Sequence, residues 1–176
     1  MNGIKRGYFD GPAGQVHYRS GGAGGRPLIL LHQSPLSSTQ FDAVLPGLVA
    51  AGFHAAALDM PGFGLSDALP DTAVLDDFAG IVPAALDHFA WRDCAIVGHH
   101  TGAVIGALFA AADPGRVSKL VLNGFPLLTD AERRHFSGFY FGPKEPKPDG
   151  SHLLVAWQNR LRSTPGWTDL LSLIHI

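Results

Sequence analysis

A single cysteine, Cys94, excludes an internal disulfide framework and a multi-cysteine zinc site. Charge is scarce too. Only 16% of the 176 residues are charged, and the formal net charge is −2. That balance gives no electrostatic footprint for nucleic acid or for an anionic membrane surface, so neither is expected as a partner. Low charge combined with 46% hydrophobic residues excludes a disordered chain and predicts one domain with a sizeable core. The first fourteen residues, MNGIKRGYFDGPAG, contain no apolar run of the kind a secretory signal needs, and a cytoplasmic protein is expected. No repeat at solenoid or propeller spacing occurs. A phosphate-binding Gly-Lys-Ser/Thr loop is missing as well, and the glycine-rich Gly21-Gly22-Ala23-Gly24-Gly25 is followed by no helix. The stretch from Cys94 to Ala112 carries no formal charge. Adjacent His99 and His100 and the glycines around them argue that it is a buried strand, a tight turn and a helix rather than a membrane span.

Glycine (22 residues) and proline (13) are plentiful and follow no fixed period, which places many loops between short elements. Residues 8–10 and 15–19 read as two strands around the turn Gly11-Pro12-Ala13-Gly14. Leu28-Ile29-Leu30-Leu31 is a continuous apolar run, the pattern of a parallel strand buried on both faces. Ser38 is expected to cap a helix with Phe41, Val44, Leu45 and Leu48 on one face, shortened or kinked by Pro46. Further strands are expected at 54–58, 94–97 and 119–122. Helices are expected at 73–89, with Leu75, Phe78, Val82, Leu86 and Phe89 inward, and around Val104, Ile105, Leu108 and Phe109. Asp113-Pro114-Gly115 ends the last of these. Strand alternating with helix predicts an α/β protein with a mostly parallel sheet.

Three motifs punctuate this alternation: Leu30-Leu31-His32-Gln33-Ser34-Pro35, then Asp59-Met60-Pro61-Gly62-Phe63-Gly64-Leu65-Ser66-Asp67, then Val97-Gly98-His99-His100-Thr101-Gly102-Ala103. In this order, with a strand or helix between them, they resemble the α/β-hydrolase superfamily over residues 7–125. The first is similar to the family's His-Gly-x-Pro loop and the second to its Asp-x-Pro-Gly-x-Gly-x-Ser loop. The third occupies the place of the nucleophile elbow. The resemblance implies a doubly wound, mostly parallel sheet, cut short here after about the sixth strand, and a hydrolase acting on a small molecule with no cofactor. In such an elbow a strand turns abruptly into a helix, and small residues two places either side of the exposed residue let the backbone pack. Gly98 and Gly102 meet that need and fix the central position at His100.

Histidine replaces the usual serine there. It can serve as nucleophile or base, and the positive end of the following helix favours its neutral ring. The bland alternative is that His100 only fills the turn. By the resemblance, the backbone N–H groups of Thr101 and Gln33 would form an oxyanion hole. His32, with Ser34 and Pro35 beside it, is expected to organise its loop, and His99 to pack structurally. Asp59 and Ser66 are expected to tie down their own loop. His32, His99 and His100 are not expected to bind metal, because neighbours on a sharp turn diverge. Haloalkane dehalogenase and epoxide hydrolase chemistry is not expected, since both need an aspartate where His100 stands.

Residues 1–125 are therefore read as the N-terminal part of the core and 126–170 as the start of a lid. Phe136, Phe139, Tyr140 and Phe141 suggest an apolar substrate, and a helix is expected at 152–162. The terminal Leu171-Ser172-Leu173-Ile174-His175-Ile176 can be encoded by CTG TCT CTT ATA CAC ATC, which resembles the mosaic end of a transposon-derived sequencing adapter, and is read as an artefact. The acid and final histidine of a hydrolase triad would then follow later strands. The competing class is a non-catalytic binding or sensor protein on the same fold.

Overall fold

A computed structural model describes residues 3–134 and 146–155. The chain divides into two compact units, Met1–Leu127 and Leu128–Ile176. In the first, six strands form one sheet: β1 (Lys5–Gly11), β2 (Gly14–Gly21), β3 (Arg26–Leu31), β4 (Phe53–Leu58), β5 (Cys94–His99) and β6 (Val117–Asn123), in the order β1-β2-β4-β3-β5-β6. The β1–β2 hairpin closes with Gly11 opposite Gly14, and β2 pairs antiparallel to β4. From β4 across to β6 all pairs are parallel. The architecture is the α/β fold expected from the alternation of elements.

The apolar run of β3 explains the layering. Successive strand side chains point to opposite faces. Leu28 and Leu30 accordingly pack with Phe41, Leu45, Ala55 and Ala57 on one side, while Ile29 and Leu31 pack with Leu58, Ile81, Leu86, Ile96 and Ile105 on the other. All four are buried, each worth roughly 1.5–3 kcal/mol relative to an exposed side chain. A strand with both faces covered has only its two ends in contact with solvent, which puts chemistry at its carboxyl end.

Two helices differ from expectation. The helix expected after Ser38 is a short 3-10 turn, Ser38–Phe41, followed by α1 (Leu45–Ala50). Ser37, not Ser38, is the cap; Ser38 is buried, and its N–H donates to Asp59 Oδ1 at 2.6 Å. Pro46 lies in the first turn of α1, where a missing N–H costs nothing, and Val44 is exposed rather than inward. The helix expected over 73–89 is two, α2 (Leu75–Ala79) and α3 (Ile81–His88), with Leu75 exposed. Pro83 explains the break: it has no N–H to give the carbonyl of Ala79 four residues earlier. The helix after β5, α4 (Thr101–Ala112), ends at Asp113 as expected.

In the second unit, residues 130–134 and 151–155 are helical. Thr129 caps the first, with its N–H donating to Glu132 Oε2 at 2.8 Å and the Glu132 N–H returning to Thr129 Oγ1 at 3.3 Å. The aromatic residues Phe136, Phe139, Tyr140 and Phe141, most of the helix expected at 152–162, and Leu171 to Ile176 lie outside the described residues. Among the described residues no helix is long and apolar enough to cross a membrane.

Candidate active site

One residue turns β5 into α4. His100 has φ 51° and ψ −109°, a conformation that costs a non-glycine residue on the order of 1–3 kcal/mol. Its surroundings hold it there. The His100 N–H donates to the Asn123 carbonyl at the end of β6, at 2.8 Å. Its carbonyl accepts from the N–H groups of Ala103 (3.0 Å) and Val104 (3.3 Å). The side chain is left exposed above the carboxyl ends of the parallel strands.

The flanking glycines are required by contact. A Cβ on Gly98 would collide with the Gly102 carbonyl and with the backbone of Ala103. One on Gly102 would run into the carbonyls of Leu31 and His32. Without side chains at these two places, the start of α4 lies directly against the end of β3. The β3 loop and His100 are thereby brought together, as the motif spacing implied.

His32 is fully buried in its loop. Its Nδ1 meets the Gln33 carbonyl at 2.9 Å, and its Nε2 accepts the Met60 N–H at 2.9 Å. A carbonyl can only accept and an amide N–H can only donate, so the ring is neutral with its proton on Nδ1. Burial lowers the His32 pKa below the ordinary histidine value, against smaller upward pulls from the Gln33 carbonyl and the Asp59 charge. The Ser34–Pro35 peptide is cis, and both residues are exposed. The Ser34 N–H reaches Thr101 Oγ1 in a long bond of 3.4 Å, and Thr101 Oγ1 lies 3.4 Å from His100 Nδ1. Thr101 thus stands between the two loops.

The two expected oxyanion donors differ in state. The Thr101 N–H, in the first turn of α4, has no partner among the described residues. The Gln33 N–H donates to Gln40 Oε1 at 3.0 Å. The same carboxamide, through Nε2, bonds His99 Nδ1, so His99 is half-buried and engaged with protein. Among the described residues no three His, Cys, Asp or Glu side chains are placed to hold a metal ion.

Beneath this surface the Asp59 loop is tied as expected. Asp59 Oδ2 accepts the Leu65 N–H at 2.9 Å, and Ser66 Oγ donates to the Asp59 carbonyl at 2.8 Å. Burial alone would raise the Asp59 carboxyl. Hydrogen bonds from Ser38, Leu65 and His17 outweigh it and hold the carboxyl below the usual carboxylate range. Cys94 is no rival nucleophile, because burial pushes its thiol up to about 12.

Sequence reading missed two residues. His17 pairs with Asp59 at 2.9 Å, both buried, across the antiparallel β2–β4 contact. Its only signal was a polar residue inside a strand. Gln40 gave none, since neither periodicity nor motif marks a glutamine on a short turn.

The family model described as the alpha/beta hydrolase fold matches residues 26–171. A non-heme haloperoxidase of Rhodococcus erythropolis is 36% identical over 121 residues, 67% of this chain and 44% of that protein. A 2-hydroxy-6-oxononadienedioate/2-hydroxy-6-oxononatrienedioate hydrolase of Burkholderia vietnamiensis is 34% identical over 119 residues, covering 65% of the chain and 41% of the relative. The chain therefore matches less than half the length of these relatives. Among solved structures, an epoxide hydrolase from Vigna radiata superposes with a TM-score of 0.74 at 20% identity, covering 88% of this chain and 53% of that one.

Proposed function

The chain belongs to the α/β-hydrolase-fold family, and from that premise we propose that the whole protein is a hydrolase of small, largely apolar carbonyl compounds with His100 at the reacting position. The observation that carries this reading is the backbone of His100, φ 51° and ψ −109°, which the fold holds at a cost while presenting the ring to solvent. Strain maintained around an exposed polar side chain is typical of functional positions. Relatives named as hydrolases of small molecules support the reaction class.

The neutral imidazole attacks the carbonyl carbon through its unprotonated nitrogen. A C–N bond forms and the carbonyl π pair moves onto oxygen. The backbone N–H groups of Thr101 and Gln33 receive that charge, at the positive end of α4. Collapse expels the leaving alkoxide, which takes the imidazolium proton. Water then hydrolyses the acyl-imidazole, releasing the acid and restoring the ring.

A binding protein on the same fold is favoured by one observation, that the Gln33 N–H is already taken by Gln40. The test is a panel of aryl esters from acetate to octanoate given to the whole protein, with phenolate release followed by absorbance. Hydrolysis that improves with acyl length is expected. Tight binding of the longer esters with no phenolate release would select the binding protein instead.

A further inference from the structure

We propose that Thr101 is a positioning residue for the His100 ring: its hydroxyl oxygen accepts the Nδ1–H of the imidazole and leaves Nε2, unprotonated, as the nitrogen that meets substrate. The inference rests on the hydrolase reading above for the role it gives Nε2. Its basis is a bridge at the elbow. Thr101 Oγ1 lies 3.4 Å from His100 Nδ1 and 3.4 Å from the Ser34 nitrogen.

His100 is the N-cap of α4, yet its side chain makes no capping bond to the first turn. The Ala103 and Val104 N–H groups go to the His100 carbonyl instead. Nδ1 faces the hydroxyl of the next residue, which turns Nε2 away from Thr101. The backbone on either side of Thr101 is fixed. Gly102 lies against the Leu31 and His32 carbonyls, and the His100 N–H is held by the Asn123 carbonyl. A β-branched side chain on a helix has few rotamers, so the hydroxyl is held with them. The Ser34 N–H can only donate, so it occupies one lone pair of Oγ1. The second lone pair is left for an Nδ1–H. In a neutral ring the hydrogen bond at one nitrogen decides which of the two carries the proton. With the proton on Nδ1, the Nε2 lone pair is free for a carbonyl carbon. With the hydroxyl proton turned onto Nδ1 instead, an N–H would face the substrate and no lone pair would. As Nε2 bonds to carbon the ring becomes cationic, and its Nδ1–H becomes a stronger donor. The Thr101 oxygen then holds the transition state better than the resting ring, which is the condition for acceleration. A separation of 3.4 Å is long, and catalytic hydrogen bonds in unliganded sites often tighten only when substrate arrives.

The test compares Thr101→Val and Thr101→Ser with wild type in the whole protein, with folding checked by Tm. Valine keeps the shape and removes the oxygen, whereas serine keeps the oxygen. The first readout is the nitrogen NMR of the histidine rings at mildly alkaline pH, with the His100 signals identified by their loss in His100→Ala. Wild type and Thr101→Ser should show a protonated Nδ1 and a bare Nε2, and Thr101→Val should shift toward the reverse. The second readout is cleavage of an aryl ester. Thr101→Val should lower kcat about 10-fold with KM changed less than about twofold, and Thr101→Ser should recover most of that loss. A residue that only braces the Ser34 loop would raise KM or lower Tm in the valine variant and leave the tautomer as it was, which overturns the proposal. A wild-type ring with its proton on Nε2 overturns it too, whatever the activity. Absence of ester cleavage by wild type sinks the hydrolase reading alone, and the ring signals still decide whether Thr101 sets the tautomer.

Discussion

Space for a single methyl group decides the turn at His100. Gly102 has the Leu31 and His32 carbonyls where a Cβ would go, and neither oxygen can move without disturbing the end of β3. Gly102→Ala is therefore expected to cost about 1–3 kcal/mol, by the usual price of overpacking. Gly115→Ala, whose nearest neighbour would be Asp113 Oδ1 at 3.7 Å, should change stability by less than about 0.5 kcal/mol. Urea unfolding of the two variants checks the contrast, and equal effects would show that α4 does not need this close approach. His32 makes a different prediction. Its folded pKa is depressed, so below the ordinary value of 6.5 the unfolded chain binds a proton that the folded chain resists. Stability should fall as pH drops from about 7 toward 5, with His54, also lowered by burial, adding in the same direction. Asp59 shifts downward as an acid, so its contribution holds until pH falls below the usual carboxylate range. His32→Gln should flatten the dependence of Tm on pH between 7 and 5. An unchanged slope would mean that His32 is not held neutral.

Between elements, Asp59 is the joint. It links the end of β4 to the turn after β3 through Ser38, to its own loop through Leu65, and to the hairpin strand β2 through His17. Asp59→Asn replaces an acceptor oxygen by a donor and strands at least one buried partner, at a cost of about 1–3 kcal/mol. Hydrogen exchange should rise in residues 33–40 and 59–67 together. A rise in only one loop would show that they are not coupled through this carboxylate. Much of this scale was legible in the sequence. The β3 run, the β5 strand, the Gly98/Gly102 spacing and the Asp59 loop each carry a local pattern whose physical cause is local. The break between α2 and α3 was legible in principle at Pro83, but the apolar spacing across 73–89 masked it. The His17–Asp59 pair and the Gln40 bridge were not legible. They join residues through space, across a sheet register and a loop approach that only the folded chain specifies.

Across the whole sheet, parallel strands β3 and β5 deliver two loops to the same edge, where open α/β sheets place their ligands. The antiparallel β1–β2 hairpin braces the Asp59 loop from the side, with the Gln15 N–H donating to Asp67 Oδ2 at 2.8 Å. The fold thereby gathers a strained histidine, an uncovered amide and a covered one from segments far apart in sequence. The proposed chemistry at this edge is acyl transfer at His100. The most direct measurement is kcat/KM of the whole protein and of its His100→Ala variant on the aryl ester that wild type cleaves fastest, with folding verified by Tm. A loss of at least about 100-fold at unchanged Tm is predicted, the scale of removing a participating acid–base or nucleophilic group. Turnover by the variant within about threefold of wild type would contradict a reacting role for His100.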